Sequence, residues 1–210
     1  MNSGLLSFLC FSAVFITHAE IIDRIAVSVG NSVVTTADVD REIRVTAFIN
    51  GATPDFSAAN KRTTADRLIE QKLIERELEM SKYPLPDAAA AVPLYDDLMK
   101  TRGAHSLAEY GITEQQVKDA LLWQLTLLRF IEVRFQPGVQ VLDRDIQDYF
   151  DKVVKPAAQA EHPNQPVALE DYRDKIETTL SGQRTDKEVD NWLREARKQT
   201  EIVFHDEVFR

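Results

Sequence analysis

The residues in this chain with chemistry to offer are four histidines, one cysteine and scattered carboxylates. His18, His105, His162 and His205 lie far apart in sequence. None stands in a ligand pattern such as H-E-x-x-H, where two imidazoles share one helix face and grip a metal. No serine sits in the G-x-S-x-G turn that exposes a nucleophile. Gly30 stands alone in "SVGNSVV", so that stretch is not a dinucleotide or phosphate loop. Asp96 with Asp97, and Asp143 with Asp145, are close carboxylate pairs. Both fall on predicted helix starts or faces, where the helix dipole accounts for acids better than acid–base work does. No nucleophile, base and oxyanion site can be assembled from these groups. The expectation is a protein that is not an enzyme, with no catalytic residue, no metal and no cofactor.

If these side chains do no chemistry, the apolar ones must carry the function. Residues 5–16, "LLSFLCFSAVFI", form an apolar run too short to span a bilayer comfortably. "THAE" follows, and Ala19 suits a signal peptidase that wants small side chains at its cut. The expectation is a cleaved signal over 1–19 and a periplasmic mature chain. Of 210 residues, removing 19 leaves 191. Cys10 is preceded by Leu9, Phe8 and Ser7, without the small residue a lipidation signal places there. The mature chain then has no cysteine, which excludes disulfides and thiolate sites together. The net charge of −9 repels phosphate backbones, so nucleic acid is not an expected partner. No later stretch is long and apolar enough for stable membrane insertion.

The elements follow from pattern. Ile25, Val27 and Val29 alternate as in a half-buried strand, Gly30-Asn31 supplies a two-residue turn, and Val33-Val34 returns. Thr35 with Asp38 predicts a capping box and a helix to about Ile49, ended by Asn50-Gly51. "GATPDFSAANKR" reads as a loop. A second helix is predicted from the Thr63–Asp66 box, stopped by Tyr83-Pro84. Asp87 caps a short Ala-rich helix that Pro93 divides, and "SLAEYGIT" is one turn ending at Gly111. Thr113 with Gln116 opens the most apolar helix, residues 114–135, with Leu121, Leu125, Leu128 and Phe135 as one stripe. A helix apolar around more than half its circumference is covered from more than one side. A short extended piece and then a helix capped by Asp143 are predicted next. Residues 155–166, "KPAAQAEHPNQP", carry three prolines and read as a loop. A long helix follows, loosened at Gly182, and "EIVFHDEVF" reads as a terminal strand. Strands only at the two ends predict that the ends meet. The fold class expected is mainly α, a multi-helix core with a small sheet made by an N-terminal hairpin and a C-terminal strand.

The order of these pieces resembles a known family. "IIDRIAVSVGNSVVTTADVDREI" is similar to the opening of the SurA family of periplasmic chaperones and parvulin-type foldases, V-x-x-x-V-x-N-x-x-V-x-x-x-D-(V/I). Ile25, Val29, Asn31, Val34, Asp38 and Val39 occupy the matching positions. "GITEQQVKDALLWQLTLLRFI" and "VLDRDIQDYFDK" are similar to two of its helix starts, and "PVALEDYRDKIETTL…VDNWLREARKQTEIVF" to its closing helix and strand. The resemblance covers about residues 21–209. In these foldases a parvulin prolyl-isomerase domain of about 90–100 residues usually precedes the closing helix. Here Asp151 to Pro166 leaves 16 residues, too few for a folded catalytic domain.

The resemblance implies a chaperone core, residues 20–210. It comprises an N-terminal part, 20–154, the segment 155–166 in place of the isomerase, and a C-terminal helix and strand, 167–210. It implies an ATP-independent holdase whose partners are unfolded or extended envelope polypeptides, outer-membrane proteins included. The residues named for client contact are Phe48, Met80, Leu98, Met99, Trp123, Leu127 and Phe130. A second reading makes the same apolar surface a permanent subunit interface in an adaptor module, and a third keeps the family's prolyl-isomerase label. The leader reading has a direct check. N-terminal sequencing of the protein from cell envelopes is expected to begin at Glu20; a chain still starting at Met1 there would overturn it.

Overall fold

A computed structural model describes residues 23–103, 106–163 and 165–209. The expected leader, with Cys10, His18 and the cut after Ala19, lies outside the described residues, as does His105. Strand β1 (Ile25–Val29) and strand β2 (Ser32–Thr35) form an antiparallel hairpin with Val29 opposite Ser32. Gly30 is the only turn residue with positive φ, +55°, the pattern of a type II′ turn. Strand β3 (Ile202–Phe204) pairs antiparallel with the other edge of β1, Val27 opposite Phe204 and Val29 opposite Ile202. The sheet order is β2-β1-β3, so the chain ends do meet.

Eight helices are described: α1 (Thr36–Asn50), α2 (Ala58–Met80), α3 (Val92–Arg102), α4 (Ser106–Tyr110), α5 (Glu114–Arg134), α6 (Asp143–Tyr149), α7 (Lys155–Glu161) and α8 (Arg173–Lys198). Two starts follow from their capping boxes. In α1 the Asp38 N–H donates to Thr35 Oγ1 at 3.2 Å, and the Thr35 N–H donates to Asp38 Oδ2 at 3.0 Å. In α5, Thr113 and Gln116 reciprocate in the same way. Asp87 caps a 3₁₀ turn, Ala88–Ala91, and Pro93 sits in the first turn of α3, where its missing N–H costs nothing.

Four expectations are corrected. Helix α2 begins at Ala58, because Ser57 accepts the Asn60 N–H; Thr63 lies inside the helix and donates to the Ala59 carbonyl. Segment 155–166 is not all loop. A π turn (Phe150–Val154) lets the Lys155 N–H reach the Phe150 carbonyl, and Pro156 then enters in the first turn of α7. Gly182 does not loosen α8, which runs unbroken for 26 residues, about 39 Å. The terminal strand stops at Phe204; Asp206–Phe209 is a 3₁₀ turn that tucks Phe209 into the core. Arg62 fixes that turn by pairing with Asp206 while its guanidinium lies 3.5 Å from the Phe204 ring centre.

The core is divided into four clusters. The first joins the sheet to α1, α2 and the end of α8 through Val27, Val34, Val39, Ile43, Ile69 and Ala196. The second holds Val45 and Phe48 of α1 against Tyr95, Val117 and Leu121. The third centres on Phe130, with Tyr83, Phe135 and Trp192 edge-on at centroid distances of 5.7, 5.5 and 5.5 Å. The fourth packs α6 and the π turn on the first half of α8 through Ile146, Phe150 and Ile176. The stripe expected on α5 is only partly its buried face: Leu121 and Phe135 are buried and Leu125 is half-buried. Val117, Leu121 and Phe130 are buried, whereas Leu128 is 64% exposed.

Gly51 ends α1 at φ +66°, and a Cβ there would run into the Arg102 guanidinium, which donates to the Ile49 carbonyl at 2.9 Å. Gly182 has open space around its missing Cβ. Urea unfolding is expected to separate them: Gly51→Ala loses roughly 1–2 kcal/mol, and Gly182→Ala gains roughly 0.5–1 kcal/mol.

Candidate functional site

Three of the clusters sit at the corners of a triangle of helices. Helix α1 runs from the first cluster to the second, α5 from the second to the third, and α2 from the first to the third. Helix α8 crosses beside α2, with Trp192 touching both the first and third clusters. The middle of the triangle is left open. It forms a crevice of about 730 Å³ between α1, α2, α5 and the second half of α8. That is the scale of pockets that enclose drug-sized or peptide ligands.

Four-residue spacing builds its apolar lining. Trp123, Leu127 and Ile131 descend one face of α5, Val45 and Ile49 one face of α1, and Val189 and Leu193 one face of α8. Leu68 and Ile74 complete it from α2. Residues at i and i+4 stack on one side of a helix, so α1, α5 and α8 each present a stripe. Val45 and Ile74 are buried; the others are half-buried and keep surface toward the opening. The rim is polar: Asp38, Arg41 and Glu42 on α1, Arg67, Glu70 and Gln71 on α2, Gln116 and Asp119 on α5.

The walls are tied at two places. Arg197 of α8 donates to Asp66 Oδ1 at 3.3 Å, the Asp66 carbonyl at 3.1 Å and Glu70 Oε1 at 3.0 Å, fastening α8 to α2. Phe130 and Trp192 fasten α8 to α5. At the α1 edge, Asp38 pairs with Arg41 at 2.6 Å. Burial pushes the Asp38 carboxyl up, but the hydrogen bonds from the Thr35 N–H, the Arg41 guanidinium and the Thr35 hydroxyl outweigh it, leaving the group below the ordinary aspartate value.

The seven residues named for client contact divide. Trp123 and Leu127 line the crevice. Phe48 and Phe130 are both 0% exposed; they are corner packing and have no surface to offer. Leu98 and Met99 are half-buried against the second cluster, and Met80, 69% exposed, ends α2 away from the crevice lining. Ile49, Leu68, Ile131, Val189 and Leu193 were not singled out. The i, i+4 pairs within α5 and α8 were the available signal, but the pairing of those stripes across helices was not.

Three of the four carboxylates in the close pairs are ion-paired. Asp143 pairs with Arg173 at 2.8 Å, Asp145 with Arg184 at 2.7 Å, and Asp97 with Lys100 at 2.6 Å. His205 donates its backbone N–H to the Ala26 carbonyl, and His162 follows α7. Among the described residues no group of three or more His, Cys, Asp or Glu is placed to hold a metal, and no helix is long and apolar enough to cross a membrane. No protein-family model matches the chain, and no curated protein matches it.

Asp38 supplies a pH prediction. Its folded-state value is lowered, so its stabilisation is present in full above the unfolded value, near 3.8, and is lost as pH falls through the lower folded value. Urea midpoints from pH 7 down to 2 are expected to show Asp38→Asn less stable than wild type at pH 7, with the two converging below pH 3.8.

Proposed function

We propose that this protein is an ATP-independent holdase that shelters extended apolar segments of unfolded polypeptides in the crevice between α1, α2, α5 and α8. The observation that carries the reading is that crevice: about 730 Å³ bounded by apolar stripes on three helices, by Leu68 and Ile74 of a fourth, and rimmed by polar groups. An interior this large and apolar-walled is costly to leave hydrated, and a client side chain entering it gains roughly 25 cal/mol per Å² of apolar area removed from water. Ordering the client cancels much of that gain, so binding is reversible without a nucleotide. The resemblance to the SurA family in the order of the hairpin, the capped helices and the closing strand supports the same reading. So does the short run from Asp151 to Pro166, which holds the π turn and α7 where that family usually has an isomerase domain. On this reading the protein works in the periplasm, on envelope proteins that arrive unfolded, and has no prolyl-isomerase activity of its own.

The test uses two neighbouring leucines. Leu127 faces the crevice and Leu128 faces solvent. Diluting a urea-unfolded outer-membrane protein into buffer with a several-fold excess of this protein is expected to slow its aggregation. Leu127→Glu is expected to weaken that protection about tenfold in the concentration required, and Leu128→Glu to leave it unchanged, both variants melting cooperatively. Failure of the wild type to slow aggregation sinks the proposal.

A further inference from the structure

The rim adds a selectivity that the apolar walls do not. Four carboxylates line the crevice, Asp38, Glu42, Glu70 and Asp119, against two guanidinium groups, Arg41 and Arg67. Arg41 neutralises Asp38 at 2.6 Å, and Glu70 is matched from outside the lining by Arg197 at 3.0 Å. Among the described residues, Glu42 accepts from the Thr46 hydroxyl at 3.0 Å and Asp119 from the Gln115 amide at 2.7 Å. Arg67 donates to Thr64 at 3.2 Å. Within 4 Å, Glu42 and Asp119 have no cationic partner among the described residues, and they stand on different walls, α1 and α5. Each is set beside the apolar stripe of its own helix: Glu42 three residues before Val45, and Asp119 four residues before Trp123.

We propose that the crevice prefers extended segments whose apolar stretch is flanked by lysine or arginine, with Glu42 and Asp119 receiving the cationic flanks. This rests on the holdase reading and gives the client class for the same site. The lining of α1 from Asp38 to Asn50 spans about 18 Å, the length of about five extended residues. A client with five apolar residues and a basic side chain at each end lays its greasy part on the floor and its charges at the mouth. Acidic flanks would face two uncompensated carboxylates and the chain's net charge of −9.

Two fluorescent peptides with one shared five-residue apolar centre test this, one with Lys at both flanks and one with Glu. Their binding to the full chain is followed by anisotropy at low salt and at 0.5 M salt. The Lys-flanked peptide is expected to bind about fivefold tighter or more at low salt, the scale of two solvent-facing ion pairs. Salt should remove the difference, and so should Glu42→Gln/Asp119→Asn, which weakens binding of the Lys-flanked peptide and strengthens that of the Glu-flanked one until the two match. Equal affinities for the two peptides at low salt overturn the inference and leave the holdase reading intact. Binding of neither, with aggregation still not slowed, overturns both. Binding of neither, with a dimer mass by light scattering that Leu127→Glu reduces to a monomer, overturns the inference by showing a second copy in the crevice.

Discussion

Three residue pairs close this molecule: Val27 with Phe204, Ser28 with Val203 and Val29 with Ile202. They attach β3 to the open edge of the first hairpin, and α8 arrives with that strand. Without them α8 is held beside α2 by Arg197, the aromatic corner and the packing of Ala196 on α2 alone, and the crevice's fourth wall is less firmly placed. The pairing is reinforced on both sides. The Gly30 N–H donates to the Glu201 carbonyl at 2.8 Å and the His205 N–H to the Ala26 carbonyl at 2.9 Å. Arg62 then pins the final turn from α2. Fully buried strand residues such as Val27 and Val34 give the closure its apolar anchor.

The hollow in the triangle is a geometric result of how apolar surface is distributed. A helix with one apolar stripe serves one core. Helices α1, α2 and α5 each serve two, one at each end, so their contacts concentrate at the corners. Phe48 and Phe130 fill two corners to native tightness, and close packing there keeps the helix ends apart by fixed amounts. The mid-helix stripes of α1, α5 and α8 then face a space that no side chain of the described chain fills. The fourth cluster stands apart, on the first half of α8, with Arg184 bonded to Asp145 and to the Gln140 carbonyl.

Much of the scaffold was legible in the residues because its signals are local. Thr35–Asp38 and Thr113–Gln116 each encode a helix start within four positions, and Gly30 encodes its turn. Where two local signals competed, the reading failed. Ser57 outranks Thr63 as the start of α2, since a helix begins at the first cap that works. Three prolines in 155–166 pointed to a loop, yet Pro156 is harmless in a first turn and the alanines around it favour helix. The site was less legible. Phe48 and Phe130 share the apolar character of Trp123 and Leu127, and only the crossing of helices decides which of them meets another side chain. Periodicity gives the face of a helix but not the identity of what lies opposite.

The ends that meet are 177 positions apart, from Val27 to Phe204. Local helices form in microseconds or less, but a contact across that separation must wait for nearly the whole chain and must close a very large loop. The capped helices therefore exist before the structure that gives them purpose. A nascent chain leaving a ribosome or threading a channel keeps its first hairpin unpaired on one edge until Ile202–Phe204 emerge. The order of synthesis thus places completion of the cradle after its helices have formed, and it puts the decision in the hands of three residues, Ile202 to Phe204.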